Sequence, residues 1–251
     1  MVLLRKRPGL LLLFFLFASV CLAQFKSRKI TCKQDSGLTF PLFISDNKTA
    51  AKKINDHLQM EFFETTTSQT PEAKLFDEYR FIFDDSMIQP GYTSISYRIE
   101  SNNPKILSVL FEVEGMGAYP TYYKRYFTFY NNTGAPISTD TLFTTAGLKT
   151  IKEILVKKRK EEIKEWIRSL KADNETPYAE DSSFIADNFA ACNAEADESK
   201  MYIRKGKILF YKYDCFPHAW GPYETNLDIE FTYKELEKYL SAFGKKLLFT
   251  K

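Results

Sequence analysis

The chain has 251 residues, 44% hydrophobic and 16% aromatic, with 35 Lys and Arg against 32 Asp and Glu. That apolar and aromatic content excludes a disordered chain and argues for an ordered, β-leaning fold. The three surplus positive charges, Arg5, Lys6 and Arg7, all lie in the first 23 residues. The other 228 carry 32 charges of each sign, so nucleic-acid binding has no electrostatic support.

Residues 1–23 read as an export signal. The basic Arg5-Lys6-Arg7 precedes an apolar run from Leu10 to Val20, and Cys21-Leu22-Ala23 offers small residues for cleavage before Gln24. The run falls short of the ~20 residues that span a bilayer. Lipid attachment at Cys21 is disfavoured by the Ser19-Val20 before it. The expected product is exported, periplasmic or extracellular, with no spanning segment after cleavage; membrane association stays open.

Residues 24–78 hold Cys32, Phe40-Pro41-Leu42 and a helix over 50–63 with Ile54, Leu58 and Phe62 on its apolar side. From Tyr79 the period becomes two, predicting strands at 80–84, 93–100, 106–114 and 122–130. In the second, Ile95, Tyr97 and Ile99 share one face, with Ser94, Ser96 and Arg98 on the other. In the third, Leu107, Val109, Phe111 and Val113 share a face. Gly115-Met116-Gly117-Ala118 marks a bulge or hairpin turn, and Asn131-Asn132-Thr133-Gly134 a second turn. These strands form an antiparallel meander.

Residues 146–171 predict a long helix with Leu148, Ile151, Leu155, Ile163, Trp166, Ile167 and Leu170 facing inward, and with 157–162 as its solvated, charged face. A short helix or loop near 183–191 follows, then strands at 200–203, 207–213 and 226–231 and a closing helix over 233–243. The class is α+β, with antiparallel β-sheets and a long amphipathic helix packed on them. The expected division is a β-rich domain over 24–140 and an α+β domain over 141–251.

Export permits disulfides. Cys192 and Cys215 flank the 201–213 strand pattern, and a bridge between them would stabilise by ~3 kcal/mol. Cys32 would then be left over; it could instead pair with either, or all three could be buried thiols. With only His57 and His218 as histidines and no CxxC spacing, no metal site is expected, and no cofactor. The sequons at Asn47, Asn131 and Asn174 match by pattern only.

Three constellations could carry function. His218 sits between Asp214 and Glu224, but no nucleophile elbow or zinc motif accompanies it, so a small envelope hydrolase using His218 with Asp214 or Glu224 is the alternative. Pro217, Gly221 and Pro222 frame a loop holding His218, Trp220 and Tyr223, whose rings suit sugar stacking or a protein contact. The stretch 115–123 adds Tyr119 and Tyr122 beside two glycines, residues that give contact area at low entropy cost.

The strand KILSVLFEVEGMGAYPTYYKRYFTFYNNTG, the DTLF segment, a long helix and the closing KILFYKYDCFPHAWGPYETNLDIEFTYKEL occur in one order. Over residues 75–243 this resembles the extracytoplasmic domain of RsiV-like anti-sigma factors, also found beside envelope polysaccharide deacetylases, a family of unknown function. Tyr213, Pro217, Ala219, Gly221, Tyr233 and Leu236 carry the most specific part; His218 and Trp220 depart from it. The start of the exported chain resembles the companion domain that often precedes it. The resemblance implies a fold related to an Hsp70 ATPase subdomain. It also implies a binding role, because in RsiV-like proteins this domain recognises lysozyme outside the cell. No anti-sigma or deacetylase segment is expected within these 251 residues.

The expected function is a secreted, non-catalytic binding module of the bacterial cell envelope, with a lysozyme-like protein or a peptidoglycan-type, cell-wall glycan as partner. Its contact residues would be Pro217, His218, Trp220 and Tyr223, with Tyr119 and Tyr122 on the neighbouring hairpin.

Overall fold

The computed structural model describes residues 25–84, 87–172, 184, 186–190, 200–212 and 225–249. The expected leader, Cys192 and Cys215, the Asn174 sequon, and the Asp214, Pro217, His218, Trp220, Tyr223 and Glu224 group lie outside the described residues.

At the centre is an antiparallel meander of β5 (Gly91–Asn102), β6 (Ile106–Met116) and β7 (Pro120–Tyr130), in that order. The period-two pattern turns Ile95, Leu107, Val109, Phe111, Val113 and Phe129 onto one face, where all are buried. Helix α1 (Lys48–Phe63) lies on that face. Its side chains at i, i+4 and i+8, Ile54, Leu58 and Phe62, form the inner stripe, and the Asn47 side chain caps it by accepting from Ala50 N at 3.1 Å. The Phe62 and Phe40 rings meet Phe111 with centroids 4.6 Å and 5.3 Å away. This capping role, and the complete burial of Asn131, occupy the asparagines of two of the sequons.

A hairpin of β1 (Lys26–Thr31) and β2 (Thr39–Ile44), absent from the sequence reading, completes this layer. The KSRKIT stretch has almost no apolar alternation, so β1 owes its conformation to pairing with β2. That strand is fastened from both sides: Thr39 Oγ1 donates to Ile95 O at 2.9 Å, and Asn55 of α1 accepts from Phe43 N and donates to Phe43 O. Cys32 is a free, buried thiol, which removes the pairings that included it. The expected strand over 80–84 is shorter, β3 (Ile82–Asp84), and forms a small hairpin with β4 (Met87–Gln89).

Behind the opposite face lies a second sheet of β8 (Met201–Arg204), β9 (Lys207–Phe210) and β10 (Ile229–Thr232), in the order β10-β9-β8. The one-turn α2 (Thr139–Leu142) leads into α3 (Thr145–Ala172), and Met201, Ile203, Ile208, Phe210, Ile229 and Phe231 face α3 and pack with its Ile151 and Leu155. Tyr202 and Leu209 are directly paired across β8 and β9; they point the other way and pack on Leu110 of β6, with Tyr126 of β7 alongside. The layers are therefore α1, long sheet, short sheet, α3. Mixed helices and antiparallel sheets make the class α+β.

The closing segment departs from a single helix. α4 (Tyr233–Leu236) opens with a reciprocal Thr232/Glu235 capping box, a 3₁₀ turn covers Glu237–Tyr239, and α5 (Ala242–Phe249) follows. Between them Leu240 is extended and buried, bridged to Phe143, while Tyr239 O accepts from Thr144 N at 3.0 Å. Tertiary hydrogen bonds and the burial of Leu240 outweigh helix continuity here.

An ion network ties the two sheets along β5. Glu100, with only 11% of its side chain exposed, accepts from Arg98 at 2.6 Å and Arg204 at 2.9 Å, and Arg204 reaches Glu230 at 3.2 Å. Beside it the fully buried Tyr202 hydroxyl has no hydrogen-bond partner among the described residues. Burial and the Glu100 charge push its phenol well above the ordinary tyrosine range. An orphaned buried hydroxyl carries a desolvation cost of about 1–3 kcal/mol. Tyr202→Phe is therefore expected to keep or raise the urea midpoint, while Glu100→Ala, which leaves Arg98 and Arg204 without their shared carboxylate, lowers it.

Candidate functional site

The two stacked sheets differ greatly in length. At about 3.4 Å per residue, the 11- and 12-residue strands β5, β6 and β7 run for nearly 40 Å, and the four-residue strands β8 to β10 for about 14 Å. The short sheet covers the cross-strand row Arg98–Leu110–Tyr126 and leaves two further rows, Ser96–Glu112–Lys124 and Ser94–Glu114–Tyr122. These form the floor of an open cleft of about 530 Å³.

The wall comes from the short sheet's side: Tyr211 and Lys212 run out of β9, and residues 225–228 run into β10. These are the two ends of the 213–224 segment. They are joined at their base by Lys212 N, which donates to Asp228 Oδ1 at 3.1 Å. Tyr211 stacks at a tilt on Tyr126, centroids 4.6 Å apart, and Tyr126 meets Tyr202 at 5.1 Å. An aromatic ladder thus leads from the buried sheet contact into the cleft. Burial pushes the Tyr126 phenol up to about 12, so it stays a neutral hydrogen-bonding group.

The cleft is polar and acidic. Glu112, Glu114 and Asp228 face Lys124 and Lys212. Asp228 is half-buried, and desolvation raises its carboxyl above the ordinary range, against the opposing pull of the Lys212 N–H, Arg159 and Lys124. Ser94, Ser96 and Asn226 add neutral donors and acceptors. Such a surface can hydrogen-bond and stack on a polar ligand. Among the described residues, no group of three or more His, Cys, Asp and Glu could hold a metal ion.

Arg159 is the residue that sequence reasoning misplaced. It lies inside the charged run 157–162, read as a solvated face, yet it is 0% exposed. Its Nε donates to Leu227 O at 3.1 Å, so a guanidinium from the middle of α3 holds the stretch leading into β10 that forms the cleft wall. Leu227 in turn packs with Ile163, Leu170 and Phe189. The only signal was spacing: Arg159 falls four residues after Leu155 and four before Ile163, on the apolar stripe.

The two described residues of the expected contact set take different places. Tyr122, 70% exposed, lines the cleft. Tyr119, 69% exposed, is in the three-residue turn between β6 and β7 and lines a separate, mainly apolar depression with Met116, Gly91 and Tyr92. A third hollow, of about 400 Å³, lies on the far side of β7 between His57, Glu61 and Arg125. His57 there meets Phe127 and Phe129 edge-on, and burial pulls its imidazole below the ordinary value.

Two substitutions test the construction of the wall. Arg159→Ala should cost at least about 2 kcal/mol in urea unfolding, against about 0.5 kcal/mol or less for Lys157→Ala or Lys160→Ala at exposed neighbours. For Asp228 the folded carboxyl binds its proton more tightly than the unfolded one, so its contribution to stability falls as pH rises from about 4 through the folded value. Asp228→Asn keeps an acceptor for Lys212 N and should flatten that decline, giving a melting temperature equal to or above the parent's at neutral pH.

Neither a protein-family model nor any curated protein matches this sequence. Among solved structures, the chain is similar to a crystal structure of a DUF3298 family member from Bacteroides fragilis, with a TM-score of 0.51 and 15% identity, covering 91% of this chain and 96% of that one. A DUF3298 family protein from Pseudomonas aeruginosa aligns with a TM-score of 0.44 and 12% identity, over 88% of this chain and 94% of that one. The first likeness is one of fold, extending over nearly the whole of both chains.

Proposed function

We propose that the protein is an exported, non-catalytic binding module of the bacterial cell envelope, and that its cleft recognises a peptidoglycan-type glycan or a lysozyme-like protein. The observation that carries this is the cleft itself: tyrosine rings at Tyr122, Tyr126 and Tyr211 beside Ser94, Ser96, Glu112, Glu114 and Asn226, in an open trough of about 530 Å³. Aromatic faces next to fixed polar groups are what a sugar ring or a polar protein epitope needs. The described residues on either side of 213–224 line its rim, and contact roles are assigned to Pro217, His218, Trp220 and Tyr223, with Tyr119 as an outlying contact.

The resemblance to the RsiV-like extracytoplasmic domain, with its Hsp70-type subdomain fold, supports the same assignment. The proposal includes a division at residue 140 into a companion domain and an RsiV-like domain, with export by the leader over 1–23. Among the described residues no helix is long and apolar enough to cross a membrane.

Calorimetric titration with lysozyme and with muropeptides checks this. Binding to one of them is expected, weakened at least tenfold by Tyr122→Ala without a change in melting temperature. Absence of binding to both ligands would remove the proposal.

A further inference from the structure

β7 is an edge strand, and the hydrogen-bond pattern fixes which of its backbone groups face outward. Asn131 N donates to Lys105 O, which makes Ile106 and Tyr130 a non-hydrogen-bonded pair in the antiparallel ladder. The odd-numbered residues of β7 therefore bond to β6, and the N–H and C=O groups of Tyr122, Lys124 and Tyr126 point away from it. Farther along, Thr128 O faces the same way and accepts from Ile137 N at 2.9 Å. For Tyr122, Lys124 and Tyr126 no backbone partner lies on that side among the described residues.

Hollows flank this edge on both sides of the sheet. The acidic cleft receives the side chains of Tyr122 and Lys124, the hollow at His57 lies against Arg125 and Phe127, and Tyr123, Tyr126 and Tyr211 line both where the two meet at the edge. A strand laid along β7 would send alternate side chains into the two. On the cleft side it would meet three carboxylates against two lysines. On the other side, Arg125 is paired with Glu61 at 3.8 Å and lies over the Phe62 ring, beside the rings of His57, Tyr123 and Phe127.

We infer that the open edge of β7 takes up an extended polypeptide segment as a fourth strand, with basic side chains entering the cleft and apolar ones the His57 hollow. Main-chain bonds supply affinity and the alternating hollows supply specificity. A second copy fits less well. Two-fold pairing of β7 with itself about Lys124 would oppose that lysine to its own counterpart, and directly opposed like charges are unfavourable. The inference rests on the assignment of the cleft as a binding site and adds the way in which it binds.

The test uses the hexapeptide acetyl-Lys-Val-Lys-Val-Lys-Val-amide, its Glu-Val counterpart, and a form of the first N-methylated on the edge that would face β7. Binding and amide exchange are followed by NMR. The expected result is slowed exchange at Lys124 and Tyr126 with the Lys-Val peptide only, and at least tenfold weaker binding after N-methylation. Lys124→Pro removes an outward N–H while sparing the β6 ladder, and Glu112→Gln with Glu114→Gln removes the charge preference; each should weaken binding at least tenfold. No protection on β7, equal affinity for the N-methylated peptide, or protection already present in a concentration-dependent dimer would overturn the inference. Failure of the peptides while muropeptides or lysozyme still bind would remove strand addition and leave the binding module standing. Peptide protection without binding of either of those ligands would do the reverse.

Discussion

Leu110, Tyr202 and Leu209 join two sheets of unequal length, and the rest of the molecule is arranged around that contact. A long meander has one face sealed by α1 and the β1–β2 hairpin and needs cover on the other. The short sheet supplies that cover at one end, where β6 presents Leu110 and β7 presents Tyr126. Beyond it the strands turn polar, with Ser94, Ser96, Glu112, Glu114 and Lys124 facing the cleft. The cleft is thus a product of mismatch. Four-residue strands cannot roof eleven-residue ones, and the exposed rows carry side chains that are stable in water.

The wall of the cleft is held by an unusual choice. A fully buried arginine desolvates a charge that must be met by polar groups. Arg159 donates to the Leu227 carbonyl and contributes favourable charge at Asp228. Lys212 N and Asp228 then tie the residues on either side of 213–224 to each other. Position, more than stability, is what such an arrangement secures: the residues flanking 213–224 are held against the tyrosine ladder whatever occupies the cleft.

Much of this was legible in the residues. Alternation at Ile95, Tyr97 and Ile99 and at Leu107, Val109, Phe111 and Val113 identified the central meander and its buried face, and the 3.6-residue period identified α1 and α3. Less visible were the elements whose conformation comes from partners. β1 has no pattern of its own and exists because β2 pairs with it. The break at Leu240 follows from its burial against Phe143. Arg159 looked like part of a charged surface because charge type, read locally, outweighed its place on the stripe.

The sequence by itself determined the antiparallel α+β class, the long amphipathic helix, and the strand over 122–130 that carries Tyr122, because periodicity is a local property of side chains. Only the tertiary structure decided which polar rows stay uncovered, that Arg159 is buried behind Leu227, and that Tyr119 and Tyr122 line separate hollows. Those outcomes depend on relative strand lengths and on contacts between residues tens of positions apart, and the helical spacing of Arg159 was the one local sign of any of them.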